Sequence, residues 1–181
     1  GAGSNSLITD EIYDGVIIKL GKNFNRLSLL NSNIIISGAA VLDKKLSEYA
    51  AKNCLSGFEF LACIPGTIGG GLKMNAGCFG KEIKDILISI QAVDKNGNVL
   101  TIPAREVNFD YRNNDLSDDL IFLSASFKGE KQSTQKILET VSKLKAKKDN
   151  NQPTKIKTSG STFKNPINET SKKVWELIKE S

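Results

Sequence analysis

The residues best suited to chemistry lie in two stretches dense in small side chains. Residues 57–80 carry seven glycines, at 57, 66, 69, 70, 71, 77 and 80. Glycine loses more backbone entropy on folding than any other residue, so such density is a cost unless close backbone approach offsets it. The stretch offers free backbone N–H groups around a concavity, and Thr67 and Asn75 add side-chain donors. That donor set suits a diphosphate. The plain alternative is a tight loop that packs strand against helix. No Gly-Lys-Ser/Thr closes the stretch and no G-x-G-x-x-G spacing follows a strand, so it is neither a Walker loop nor a Rossmann turn. Residues 1–7 form a second small-residue loop, with Gly1, Gly3, Ser4 and Asn5. By itself such a loop is usually a turn.

Further along, Arg112 sits between Tyr111 and Asn113-Asn114, in a segment rich in turn formers. A guanidinium is permanently charged and forks onto carboxylates or enolates. A surface salt bridge to Asp110 or Asp115 is an equal alternative. Ser161, between Gly160 and Thr162, has no histidine to activate it as a nucleophile, because the chain contains none. As a proton donor it needs only position, with Lys164 near in sequence to steady the alkoxide; Ser159 and Ser161 merely ending a strand is the plainer reading. Asn165-Pro166 reads as a turn, and Asn165 is a candidate ligand for a phosphate or amide. Cys63 and Cys78 read as buried small hydrophobes, and Trp175 as core.

The elements that must position these groups follow from periodicity. Residues 16–20 read as a β-branched strand, and residues 26–30 and 33–37 as a hairpin turning at Asn31-Ser32. Residues 41–54 have helical spacing. Residues 83–93 and 99–102 form a second hairpin, whose Asn96-Gly97 predicts a type I′ turn. Residues 120–127 are a further strand. Residues 133–147 form a helix with Ile137, Leu138, Val141 and Leu144 on one side, and a last helical pattern spans 172–178. The fold class is α+β with a mostly antiparallel sheet. A boundary near residue 130 divides residues 1–130 from a second unit, 131–181.

Composition sets the outer bounds. The chain has 181 residues, 39% hydrophobic and 25% charged, as a soluble globular protein does. No apolar run approaches the ~20 residues of a membrane span. Three cysteines without metal spacing, and no histidine, speak against structural zinc and imidazole catalysis; free thiols fit a reducing cytoplasm. The net charge of +5 comes mostly from dispersed lysines rather than an arginine-aromatic face, so no nucleic-acid partner is expected. The first residues stand inside what reads as a working loop and the last inside a helical pattern. The chain therefore reads as a fragment of a longer protein.

Four pieces in this order, GAGSNSL, IPGTIGGGLKMNAG, YRNN and GSTFKNP, carry a family resemblance over essentially the whole chain. The chain resembles the UDP-N-acetylenolpyruvoylglucosamine reductases (UDP-N-acetylmuramate dehydrogenases), flavoenzymes of peptidoglycan precursor synthesis, and is nearer the shorter bacterial type. The resemblance implies an FAD-binding domain of the vanillyl-alcohol-oxidase kind plus part of a substrate-binding domain. Gly1, Gly3, Ser4 and Asn5 would hold the FAD diphosphate from one side. Gly66, Thr67, Gly69, Gly70, Asn75, Ala76 and Gly77 would hold it from the other. It further implies that NADPH reduces the flavin and that hydride passes to the double bond of a UDP-sugar enolpyruvyl ether. Arg112 would stabilise the developing charge and Ser161 would deliver the proton. Tyr111, Lys164 and Asn165 would contact the substrate. The sequence departs from the family pattern at Cys63, Lys73, Cys78-Phe79 and Asn114. The catalytic glutamate that the resemblance implies has no counterpart here, since Glu176 and Glu180 come too early.

Overall fold

The computed structural model describes residues 1–151, 163–166, 169–170 and 172–181. Its strands are β1 (Leu27–Leu30), β2 (Ile34–Gly38), β3 (Leu55–Ser56), β4 (Gly77–Cys78), β5 (Lys81–Glu82), β6 (Leu87–Val93), β7 (Val99–Pro103), β8 (Phe109–Asp110), β9 (Asn113–Asn114), β10 (Ile121–Lys128) and β11 (Glu130–Lys131). The helices are α1 (Asp43–Lys52), α2 (Ile68–Lys73), α3 (Thr134–Asn151) and α4 (Val174–Glu180). One five-stranded sheet, ordered β1-β2-β10-β6-β7, is antiparallel throughout. None of the helices, among the described residues, is long and apolar enough to cross a membrane.

The sheet forms where sequence supplies both alternation and turns. β1 and β2 join at Asn31, which takes φ 60, a conformation asparagine tolerates better than most residues. β6 and β7 join differently from expectation. Only Gly97 has a positive φ there, and a type I′ turn needs two such residues. Asp94 sets the geometry instead. Its O accepts Gly97 N–H at 3.1 Å, and its carboxylate accepts the Asn96 and Asn98 N–H groups at 2.8 and 2.9 Å. An aspartate that bonds its own backbone a few residues on favours this longer loop.

The core lies between one face of the sheet and α1, α2 and the 3-10 turn Glu59–Cys63. Phe58, Leu61, Leu46, Ile68, Leu72, Ile90 and Phe127 are all buried in it. Phe58 and Phe127 meet edge to face, with ring centroids 6.4 Å apart, a geometry worth roughly 0.5–1.5 kcal/mol beyond burial. α3 closes one side. Ile137 is buried, Thr134 Oγ1 donates to Ala51 O at 3.1 Å, and Lys148 Nζ donates to Cys63 O at 2.8 Å.

Three further expectations fail. Residues 16–20 form no strand; Val16, Ile17 and Ile18 are exposed, and β-branched propensity makes no ladder without a neighbouring strand to receive its hydrogen bonds. Leu138 is on the solvent side of α3, because the buried stripe runs through Ile137 and the half-buried Val141 and Leu144. Trp175 is exposed on α4, with Val174 and Leu177 taking the inner positions.

Candidate functional site

The two small-residue loops meet. Ser4 Oγ donates to Pro65 O at 2.5 Å across sixty-one positions of sequence. A Cβ added to Gly1 would lie 3.4 Å from Thr67 Oγ1. Thr67 is the N-cap of α2, yet its hydroxyl makes no capping bond. That hydroxyl lies between Gly1 and Gly70, 3.7 Å from where a Gly70 Cβ would be. Behind it, α1 and α2 are tied at their N-terminal ends: Asp43 N–H donates to Gly66 O at 3.2 Å and Ile68 N–H to Val41 O at 2.9 Å.

The glycines divide by task. At Gly3 and Gly70 an added Cβ meets open space or the Thr67 hydroxyl alone, so a ligand's backbone can approach closely there. Gly69, Gly71 and Gly77 are packing glycines. Their added Cβ atoms would come to 3.1 Å of Ala39 Cβ, 2.5 Å of Ile83 Cδ1 and 2.7 Å of Lys81 O. The open array of N–H donors expected from sequence is accordingly narrower. Gly69 N–H donates to Ala39 O at 2.8 Å. Asn75 has φ 40 and closes α2 in a Schellman motif, with Asn75 N–H to Leu72 O at 3.3 Å and Ala76 N–H to Gly71 O at 2.8 Å. The buried Asn75 carboxamide reaches Glu82 Oε2 at 2.9 Å and Asp110 O at 3.3 Å, and accepts Lys84 N–H at 3.3 Å. Asn75 and Ala76 thus shape the loop while their own donors are committed inside the fold. What remains (Gly1, Gly3, Ser4 and Asn5 facing Pro65, Gly66, Thr67 and Gly70) is hydroxyl-bearing, glycine-lined and without an ionisable side chain. This fits an extended anionic ligand.

A second corner gathers Arg112, Tyr111 and Asn165. Arg112 lies in the β8–β9 turn with φ 54, its guanidinium 5.6 Å from the Tyr111 ring centroid. Its Nη1 donates to Phe163 O at 3.2 Å. The two carboxylates weighed as its surface partners are engaged by neighbours: Asp110 accepts the Tyr111 N–H, and Asp115 accepts the Asn108 N–H and carboxamide. Tyr111 Oη accepts Asn165 Nδ2–H at 3.2 Å, and Asn165 Oδ1 caps α4 by accepting Val174 N–H at 3.1 Å. Lys164 is exposed. Ser161, with its neighbours Gly160 and Thr162, lies outside the described residues.

Two residues that local sequence did not flag hold the site together. Asn114, 5% exposed, donates to Leu72 O and Lys73 O at 3.0 and 2.9 Å and accepts Leu116 N–H. It thereby ties the Arg112 turn to the end of α2. Asp43 is fully buried behind Gly66, and burial lifts its carboxyl from 3.8 to about 7. Burial also raises both core thiols, Cys78 to about 11. No group of three or more His, Cys, Asp or Glu with metal-binding geometry occurs among the described residues.

Comparison with known proteins agrees with this geometry. The profile of a family described as FAD binding domain matches residues 1–103. The UDP-N-acetylenolpyruvoylglucosamine reductase of Pelagibacter ubique is 68% identical over 181 residues, all of this chain and 60% of its own length. That of Rickettsia typhi is 47% identical over 98% of this chain and 59% of its own. The solved UDP-N-acetylenolpyruvylglucosamine reductase of Thermus caldophilus superposes with a TM-score of 0.85 at 31% identity, covering 98% of this chain and 63% of that one. The chain spans about three fifths of the length of these relatives. With the profile covering more than half of its residues, the chain belongs to the FAD-binding domain family and is related end to end to the UDP-N-acetylenolpyruvoylglucosamine reductases.

Proposed function

We propose that this chain is the FAD-binding part, with the first portion of the substrate domain, of an NADPH-dependent reductase. Its substrate is UDP-N-acetylglucosamine enolpyruvate and its product UDP-N-acetylmuramate, in the cytoplasmic steps of peptidoglycan synthesis that underlie cell shape and division. The observation that carries the reading is the Ser4–Pro65 contact, which turns two separate small-residue loops into one cradle. Gly1, Gly3, Ser4, Asn5, Gly66, Thr67 and Gly70 hold the FAD diphosphate there. Gly69, Asn75, Ala76 and Gly77 keep that wall thin and fixed.

When bound, FAD supplies the hydride carrier between NADPH and the enolpyruvyl double bond. The chain's own residues do the rest. Arg112, pre-oriented by the Tyr111 ring and the Phe163 carbonyl, holds a fixed positive charge where the substrate becomes anionic. Ser161 delivers a proton to the carbon next to the one that is reduced. Tyr111, Lys164 and Asn165 engage the sugar nucleotide, with the Asn165 carboxamide oriented by Tyr111 Oη and by the α4 N-terminus.

A second reading has a specific basis in the shared length of about three fifths: a fragment or degenerate remnant that binds FAD or a nucleotide without turnover. Flavin absorbance and fluorescence after adding FAD test the common claim, and a chain that stays colourless and leaves FAD fluorescence unchanged refutes it. Bleaching of bound flavin by NADPH, with oxidation of NADPH on adding substrate, selects the reductase. In a polypeptide of the relatives' full length, Arg112→Lys lowers kcat by about 100-fold while the flavin spectrum stays intact.

A further inference from the structure

We propose that Asp43 is a positioning residue of the diphosphate cradle that works as a neutral carboxylic acid, so that FAD binding takes up one proton at its carboxyl wherever the free protein holds that carboxyl ionised. This rests on the FAD reading above.

Asp43 begins α1, its N–H bound to Gly66 O, and its side chain is wholly buried. Neither carboxyl oxygen has a hydrogen-bond partner among the described residues. The oxygens are wedged against the cradle wall. Oδ2 is 2.8 Å from the Cβ position of Gly66, and Oδ1 is 3.5 Å from that of Gly71. The carboxyl thus fills the room these glycines leave, beneath the turn that Ser4 Oγ reaches at Pro65.

A buried carboxylate without a partner is expensive, and the cheaper state is the protonated one. The charge at the α1 N-terminus favours the anion by a fraction of what burial costs, and burial sets the direction, upward to about 7. Among the described residues, no side-chain cation of the surrounding elements pairs with it. On α1, Lys44 pairs with Glu48 and Lys45 is exposed. On α2, Lys73 pairs with Asp118. The turn at Pro65, Gly66 and Thr67 carries no ionisable side chain, and neither do residues 1–5, whose one charge is the Gly1 α-amino group on the outer loop of the cradle. The chain has no histidine to titrate in the same range.

A diphosphate seated on this wall adds negative charge beside the carboxyl, which raises its pKa further. At a pH below the free protein's Asp43 pKa of about 7, the group is protonated both before and after binding, and the dissociation constant is flat. Above it, binding must bring a proton, and Kd rises by up to about tenfold per pH unit. The diphosphate diester of FAD itself gains or loses no proton in this range.

FAD fluorescence titrations of the wild-type chain and of Asp43→Asn, from about pH 6 to about pH 9, test this. The expected result is a wild-type Kd that climbs above about pH 7, and an Asp43→Asn variant whose Kd stays tight and flat. A flat wild-type profile, or a wild-type slope that survives in Asp43→Asn, overturns the proposal. Should the variant not fold, calorimetry of FAD binding to the wild type near about pH 8, in buffers of different ionisation enthalpy, decides. Uptake approaching one proton supports the proposal, and uptake near zero overturns it. No FAD binding by the wild type at about pH 6, where Asp43 is neutral, defeats the cradle itself and this inference with it. Tight binding that ignores pH defeats the inference alone.

Discussion

Asn114 is held by three hydrogen bonds in a nearly dry environment, two of them onto the carbonyls that end α2. Removing the carboxamide strands those carbonyls and the Leu116 N–H. Asn114→Ala should therefore cost about 2–3 kcal/mol of stability, seen as a lower urea midpoint with an unchanged slope. Because the same carboxamide anchors the Arg112 turn to α2, the variant should also loosen the Arg112 corner. Sequence marked this position only as a departure from the family's usual serine. An arginine among turn formers and an Asn-Pro pair marked Arg112 and Asn165 as loop residues, and both lie outside the strands and helices. Asn114 and Asp43 were not legible, because what distinguishes them is burial by residues far along the chain, and local composition carries no trace of that.

At the scale of elements, α2 packs tightly at one glycine of the glycine-rich stretch and leaves open room at another. Gly71 faces the fully buried Ile83, and an added methyl would lie 2.5 Å from its Cδ1. Gly71→Ala should cost about 1–3 kcal/mol through overpacking. Gly70 is exposed on the same helix, with only Thr67 Oγ1 at 3.7 Å. Gly70→Ala should leave stability unchanged or raise it by up to about 1 kcal/mol, since alanine is the better helix former. Thermal unfolding of the two variants separates them. FAD titration then shows the opposite order of importance at Gly70, where a methyl group intrudes on the ligand's side and should weaken binding without harming the fold. Hairpins and helices were readable from alternation and 3.6-residue spacing because local turns and amphipathic stripes fix them. Residues 16–20 and Trp175 misled for one reason: propensity says what a segment can become, and only a packing partner decides whether it does. The division proposed near residue 130 falls at the passage from β11 to α3, and limited proteolysis around that junction would show whether it separates two folding units.

At the scale of the whole molecule, one buried carboxyl sets how stability depends on pH. In the folded chain Asp43 holds its proton up to about 7, whereas an unfolded aspartate releases it near 3.8. Between those values the folded state binds more protons, so unfolding free energy falls as pH rises across that window and levels off above it. The span corresponds to about 4 kcal/mol. Asp94, Asp115 and Asp118 act oppositely. Their carboxyls are held below the usual range, Asp94 by Asn98, Asp115 by Asn108 and Asp118 by Lys73, so what they contribute is present at neutral pH and fades on acidification. These are solvent-exposed groups and their share is small. The sum is a stability maximum on the mildly acidic side, above the ordinary carboxylate range and below about 7. With no histidine in the chain, no other side chain of ordinary pKa titrates across neutrality to mask it. Urea midpoints should therefore be higher near about pH 5 than near about pH 8, and Asp43→Asn should erase most of that difference. A wild-type midpoint that rises towards pH 8 would mean that Asp43 is ionised in the folded chain. The cradle wall would then have to contain a cationic partner for it.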